Sequence, residues 1–361
     1  MQRRLVLRTH YQVKEPAYLE FLIRNCALAV QSSYAEVVAK KLEQEIERRG
    51  KEFNVNAGLY AVDLAKALDL LTPNHTWTDK GYLVDLIAEV DEKELEEELM
   101  LTLPERLLHF RLFLEGDGAV LLFIARHLVQ HGEFSHSDAT ANTFAQEMFV
   151  SILSEYLLLA TATADRTSIR REIERISRKP YDGNTGRHKL LIHFQTLYRL
   201  DLLTCHDTAS GTMYQMPDPS NTQRNGLAYF AHVIPDVLAL EKIIATHSWI
   251  DIAANVFQIP SVHWDATAET QRAETLSLIA TFYQRVVLRG APLCSLSTLI
   301  EATQITLLAQ QAQLLTYAEA LRLLTDEQKR LPKDVRFHVD RRGRPAFVKF
   351  SDKWLQMLTG E

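Results

Sequence analysis

Only three cysteines occur in the 361 residues, Cys26, Cys205 and Cys294, far apart and odd in number. They support neither a disulfide framework nor a Cys-x-x-Cys metal pair, so a reducing, cytoplasmic setting is expected. Glycine and proline are also scarce, at 13 and 11 residues. Few turns are signalled, which favours helices over a many-stranded sandwich. No apolar run approaches the ~20 residues that span a bilayer, so no membrane partner is expected. The start, "MQRRLVLRTHYQVKEPAYLEFLI", is basic. It lacks an apolar run followed by a small-residue cleavage site, and no signal peptide is read.

The signatures of catalysis are missing too. There is no Gly-x-x-x-x-Gly-Lys-Ser/Thr loop and no Gly-x-Gly-x-x-Gly to cradle a nucleotide. No Gly-x-Ser-x-Gly elbow appears, and no cysteine sits in a nucleophile context. "IPDVLALEK" has acids at a spacing superficially like a restriction-type nuclease, but the Glu-x-Lys step is absent. In "HLVQHGEFSHSD", His127 and His131 are four apart, with Glu133, His136 and Asp138 close by. Zinc sites use such spacing, yet Gly132 interrupts the helix and the Glu expected after the first His is missing. His188 and His193 are five apart, on different helix faces. Polar residues at a helix end are the reading, and no metal, cofactor or enzymatic activity is expected.

What is present is a globular composition, 47 % apolar and 24 % charged, long enough for two or three domains. The net charge of −6 conceals segregation. Residues 329–353 hold nine bases against three acids, and residues 166–189 hold eight against three. The acids cluster elsewhere, as in "DEKELEEEL" (91–99), whose Glu94, Glu96, Glu97 and Glu98 read as a solvated helix face turned away from any polyanion.

Along the chain, residues 17–49 have helical spacing. Leu59, Val62, Leu64, Ala65, Leu68 and Leu71 predict a second helix, "LLTPNHTWT" two short strands, and Asp79 the start of another helix. Helical spacing continues from Leu103 to Leu159, with Pro104 suited to a first turn. Between 165 and 216, two basic helices flank "YDGNTG" and lead into a strand, a turn and a strand. "MPDPSNTQRNG" (216–226) reads as a linker. A helix is then predicted over 266–289, a short strand at "PLCS", and a helix capped by Ser297. "TYAE" (316–319) is a capping box opening the next helix. In "VRFHVDRRGRPAFVKFS" (335–351), Val335, Phe337 and Val339 alternate with Arg336, His338 and Asp340. Gly343 supplies the turn, and Pro345 stands where a strand tolerates it, at its start.

Helix, strand, helix, helix, strand, turn, strand, helix in the C-terminal region resembles the winged helix-turn-helix superfamily. Shorter versions of that order occur around 55–90 and 165–216. The resemblance implies a mainly α fold of tandem winged-helix units, with short β-hairpins, joined by helical segments. The expected domains are 1–100, 101–220 and 221–361. It also implies that the helix before the hairpin enters a DNA major groove while the hairpin tip reaches a neighbouring backbone or minor groove.

Arginines belong at such a tip because phosphates dominate affinity and a guanidinium grips one with two bonds. The expected double-stranded DNA contacts are therefore Arg341, Arg342 and Arg344, with Arg336, Lys349 and Lys329. In the middle unit they are Arg166, Arg170, Arg171, Arg178, Lys179, Arg187 and Lys189. The helix before the last hairpin is mixed in sign outward (Glu319, Arg322, Asp326, Lys329), and the first unit's helix has Lys66 as its only base. Two alternatives stand beside a non-catalytic DNA-binding protein. One is a hairpin whose charges only prevent edge pairing. The other is a scaffold or adaptor subunit of a nuclease, ATPase or phage-defence complex, its winged helices binding partner proteins.

Overall fold

The computed structural model describes residues 15–25, 34–48, 55–88, 101–179, 181–209, 211–217, 226–291 and 293–360. The acidic stretch 91–99 lies outside the described residues, as does most of the 216–226 linker. The described chain is mainly helical, with eight short strands.

Helices α1 (Tyr18–Asn25), α2 (Ala35–Arg48) and α3 (Val55–Ala67) pack together first. Val38, Ala39, Leu42 and Ile46 recur at helical spacing and form the buried stripe of α2. After α3, Leu71 and Trp77 make a single antiparallel bridge. The two strands expected in "LLTPNHTWT" reduce to this, because Pro73 lacks an amide donor and His75 turns the chain at φ +64. Helix α4 (Asp79–Ile87) follows, its first turn capped by the Thr78 hydroxyl, which accepts from the Gly81 amide.

Helix α5 (Leu103–His131) is the spine. Pro104 lies in its first turn, and Glu105 reaches back to the Thr102 amide at 2.7 Å. Its helical geometry breaks only at Asp117, between two glycines. The expected helix to Leu159 is interrupted by strand β1 (Glu133–His136), after which the chain resumes as α6 (Asp138–Leu159). Two inward rings explain the break. Phe134 is buried and stacks on Phe194 at 4.6 Å, and His136 packs against both Phe194 and Tyr214.

Next come α7 (Thr163–Arg178), α8 (Thr185–Arg199), β2 (Thr204–Thr208) and β3 (Gly211–Gln215). The three strands form an antiparallel sheet in the order β1-β3-β2. Helix α8 lies tight against α6 because residue 186 is glycine. A Cβ there would come within 2.5 Å of the Ala141 carbonyl and the Asn142 Cα. The Asn142 amide also donates to the Gly183 carbonyl and accepts from the Gly186 amide, tying the "YDGNTG" turn to α6.

Helices α9 (Gly226–Val233), α10 (Val237–Ala245) and α11 (Trp249–Val256) return to the spine. Phe230 and Phe257 both meet Phe110 edge-on, at 5.7 and 5.6 Å. Strand β4 (Val262–His263) leads to α12 (Glu269–Leu288), β5 (Cys294–Ser295), α13 (Leu296–Gln311), β6 (Gln313–Leu314) and α14 (Tyr317–Arg330). The chain closes with β7 (Val335–Val339), β8 (Pro345–Phe350) and α15 (Asp352–Thr359). Strands β4 and β6 pair in parallel, while the last sheet is antiparallel in the order β5-β8-β7. Both three-stranded sheets thus place their last strand in the middle.

The capping box at Thr316 forms as expected, with Glu319 accepting from the Thr316 amide at 2.8 Å. The N-cap of α13 is Ser295, not Ser297; the two hydroxyls bond each other at 2.9 Å.

The linker does not separate independent cores. Buried apolar side chains from Ala17 to Leu355 form one continuous cluster. Helix α4 also meets α12 and α13, on the far side of the linker, directly. Arg289 pairs with the buried Asp85 at 3.0 Å, Arg285 donates to the Asp85 and Leu86 carbonyls, and Thr298 donates to the Asp79 carbonyl. Among the described residues no helix is long and apolar enough to cross a membrane. The close approach of α8 to α6 has a measurable consequence. Gly186→Ala should lower the unfolding free energy by about 1–3 kcal/mol, the usual cost of overpacking. Urea unfolding with an unchanged midpoint would show that the contact yields freely.

Candidate nucleic-acid interface

The last hairpin carries its charges outward for a simple reason. Val335, Val348 and Phe350 point into the core and are buried, and the period of two turns Arg336, His338 and Lys349 to solvent. The pleat fails at one place. A register shift between His338 and Val339 leaves Val339 60 % exposed, so it does not pack with Val335 and Phe337 as the alternation had suggested.

Beyond the shift the turn is organised by Asp340. Its carboxylate accepts from the Arg342 amide at 2.7 Å and the Arg344 amide at 2.9 Å, and its backbone amide donates to the Arg344 carbonyl. These bonds, that of Arg344 above all, hold the Asp340 carboxyl below the usual range. Gly343 sits at φ +74, which a side-chain-bearing residue resists.

The one carboxylate at the tip is therefore occupied by backbone. The guanidinium groups of Arg341, Arg342 and Arg344 are exposed and, among the described residues, make no hydrogen bond or salt bridge, although the charges of Arg344 and Arg342 add to the lowering of the Asp340 carboxyl. Arg336 and Lys349, also without partners, stand directly opposite each other across the ladder. Like charges so placed destabilise a hairpin by themselves. An anion laid along this face would relieve that repulsion.

Helix α14, which precedes the hairpin, is less mixed than its sequence suggested. Glu319 is folded back on its own cap, and the buried Glu327 is paired with Arg330 at 2.7 Å. Lys329 leans on Asp326 at 3.3 Å. Arg322 remains exposed and without a partner among the described residues.

The middle segment divides. Arg166, Arg170 and Arg171 on α7 are exposed and have no partner among the described residues; Lys179, at the helix end, is exposed. Arg178 pairs with Glu174 at 3.3 Å, and Arg175 with Glu172 at 2.6 Å. Arg187 is partly buried and reaches Asp138 at 3.4 Å. Lys189 lies over the rings of Phe149 and Tyr181, where burial lowers its pKa, helped by Arg175. Neither Arg187 nor Lys189 stands in an open basic surface. The structure thus brings five of the expected residues together on one hairpin (Arg336, Arg341, Arg342, Arg344, Lys349) and scatters the others. The sequence placed Arg322 only within a mixed face, with Glu319 three residues before it and Asp326 four after; it stands free because Glu319 turns to the Thr316 cap and Asp326 to Lys329.

The histidine cluster does not converge. His127 and His131 lie side by side, rings 4.4 Å apart, with His127 against Phe134 and Phe144. His136 turns the other way and donates from Nε2 to the Arg187 carbonyl at 2.9 Å. Among the described residues no group of three or more His, Cys, Asp or Glu could hold a metal ion.

No protein-family model matches the chain, and no curated protein sequence or solved structure is significantly similar to it.

His136 sets a pH dependence. Burial, opposed by its bond to Arg187, pushes its pKa down from 6.5 to about 4. The unfolded chain binds a proton on this ring at a higher pH than the folded chain does. Its contribution is therefore complete above pH 6.5, declines as the pH falls towards 4, and changes no further below. At ~1.4 kcal/mol per pKa unit the loss is about 3 kcal/mol. Unfolding measured from pH 7 to 4 should show this decline, and His136→Gln should flatten it. An equal slope in the variant would assign the effect to other groups.

Proposed function

We propose that the chain is a non-catalytic protein that binds double-stranded DNA through its C-terminal unit, residues 269–359, acting as a winged helix. The observation that carries the reading is the hairpin: five bases that make no side-chain hydrogen bond or salt bridge among the described residues, two of them opposed across the ladder, with Asp340 held by backbone amides. Element order supports the winged-helix assignment. Helix α12, strand β5, helices α13 and α14, the β7–β8 hairpin and α15 follow one another, with the sheet ordered β5-β8-β7. The Arg322 side of α14 would face the duplex and the hairpin tip would grip phosphates beside it.

A second reading, as scaffold or adaptor, is favoured for the first two units by one observation. Helix α8, which precedes the middle hairpin, has no fully exposed residue, and on α3 only Asn56 and Asp63 are exposed among the described side chains. Neither helix offers a face to a DNA groove. These units are suited to holding the frame, with the basic face of α7 as a subsidiary phosphate contact.

Each phosphate neutralised by a basic side chain contributes about 0.9 to the slope of log K against log salt. Replacing Arg341, Arg342 and Arg344 together by Ala should flatten that slope by up to ~3 units and weaken binding to all duplex sequences alike. The exposed tip should leave folding intact. Replacing Arg166, Arg170 and Arg171 should have a smaller effect. If the hairpin variant binds random duplex with unchanged affinity and salt slope, the DNA reading of the hairpin fails and the adaptor reading takes its place.

A further inference from the structure

The hairpin's outer face holds more than charge. In the β7–β8 register His338 stands opposite Phe347, one step from the Arg336–Lys349 pair and on the same side of the sheet. Phe337, of opposite parity, packs against the core. Phe347 does not belong to that packed set, although it is only partly covered. His338 is exposed. Neither ring contacts another aromatic ring or forms a hydrogen bond among the described residues. Two planar rings are thus left on a solvent face, bracketed by two unpaired cations on one side and the arginine tip on the other.

A phosphate grip alone explains the cations and leaves the rings unused. A blunt duplex offers them little, because its bases are stacked on one another. An unpaired base exposes a π-face, and surfaces that bind single strands combine cations along the backbone with rings for the bases. We propose that the outer face of this hairpin, through Phe347 and His338, stacks an unpaired base, so that the preferred partner is a DNA duplex with a single-stranded extension. The proposal rests on the DNA-binding reading above and specifies its substrate class: the arginine tip and Arg336 with Lys349 hold the backbone, and the rings hold the first unpaired nucleotide.

The test is a pair of affinities for the full chain, one on a blunt duplex and one on the same duplex carrying a short oligo-dT extension. The intact protein should favour the extended DNA by about fivefold or more, the lower end of what stacking of one base contributes. Phe347→Leu with His338→Ala, which keeps an apolar strand residue and leaves the core untouched, should abolish that preference. Binding to the blunt duplex and its salt slope should not change. Phe347→Tyr should retain the preference, since the ring is kept. Equal binding of both DNAs by the intact protein would overturn the platform while leaving the phosphate grip standing. So would a preference that survives in the ringless variant. No binding to either DNA would instead bring down the DNA reading, and the platform with it.

Discussion

Helix α5 is buried along most of its length, yet polar side chains punctuate it, and their pairing places almost everything else. His109 meets Glu20 of α1 at 2.7 Å with both side chains fully buried. Arg111 bonds Glu115 on its own helix at 2.6 Å and Glu301 of α13 at 3.0 Å. Asp117, at the break in the helix, meets His193 of α8 at 3.0 Å. The bonds to Glu20, Glu301 and His193 each fasten a different element to the spine, and removing one partner of the buried Arg111–Glu301 ion pair costs about 3–5 kcal/mol. The ties extend outward. Burial pushes the Glu115 carboxyl up, but Arg111 and Lys80 of α4 outweigh it and hold the group at about 2. Glu301 also accepts His247, whose ring stacks on Tyr317 at the start of α14. A chain of polar and ring contacts therefore runs from the first unit across the spine to the helix that precedes the last hairpin.

That frame gives three similar pieces of chain unequal duties. Each has a helix followed by a hairpin or a bridge, but in the first two the helix is used for packing. Residue 58 sits so close to α2 that a Cβ would meet the Ala39 carbonyl at 2.7 Å, and Gly186 plays the same part between α8 and α6. The last piece differs in leaving Arg322 and Lys329 of its helix exposed beside the uncovered outer face of its hairpin. The unpaired basic charge lies where the frame leaves backbone and side chains uncovered, which is the physical basis of the proposed function.

Much of the last unit was legible because its signals are local. The capping box at Thr316, the turn at Gly343 and the alternation through Val335 and Phe337 each involve residues a few positions apart. What escaped depends on distant neighbours. Strand β1 is four residues whose inward rings make sense only beside Phe194 and Tyr214, some sixty to eighty positions later. The exposure of Val339 follows from a register shift that composition does not encode. For the middle bases, charge counting treated all as equivalent. Arg175 and Arg178 had visible acids three or four residues back, but Lys189 is withdrawn by Phe149, forty positions away. A count of charges measures what a surface could carry; pairing decides what it does carry.

Amide hydrogen exchange of the full chain, with and without a random DNA duplex at low salt, reports contact at the hairpin without altering a residue. If the hairpin grips DNA, exchange should slow along residues 336–349 on adding the duplex and stay unchanged in α3 and α8, whose faces are already covered. Exchange unchanged along the hairpin, with protection appearing in α3 or α8 instead, would contradict it.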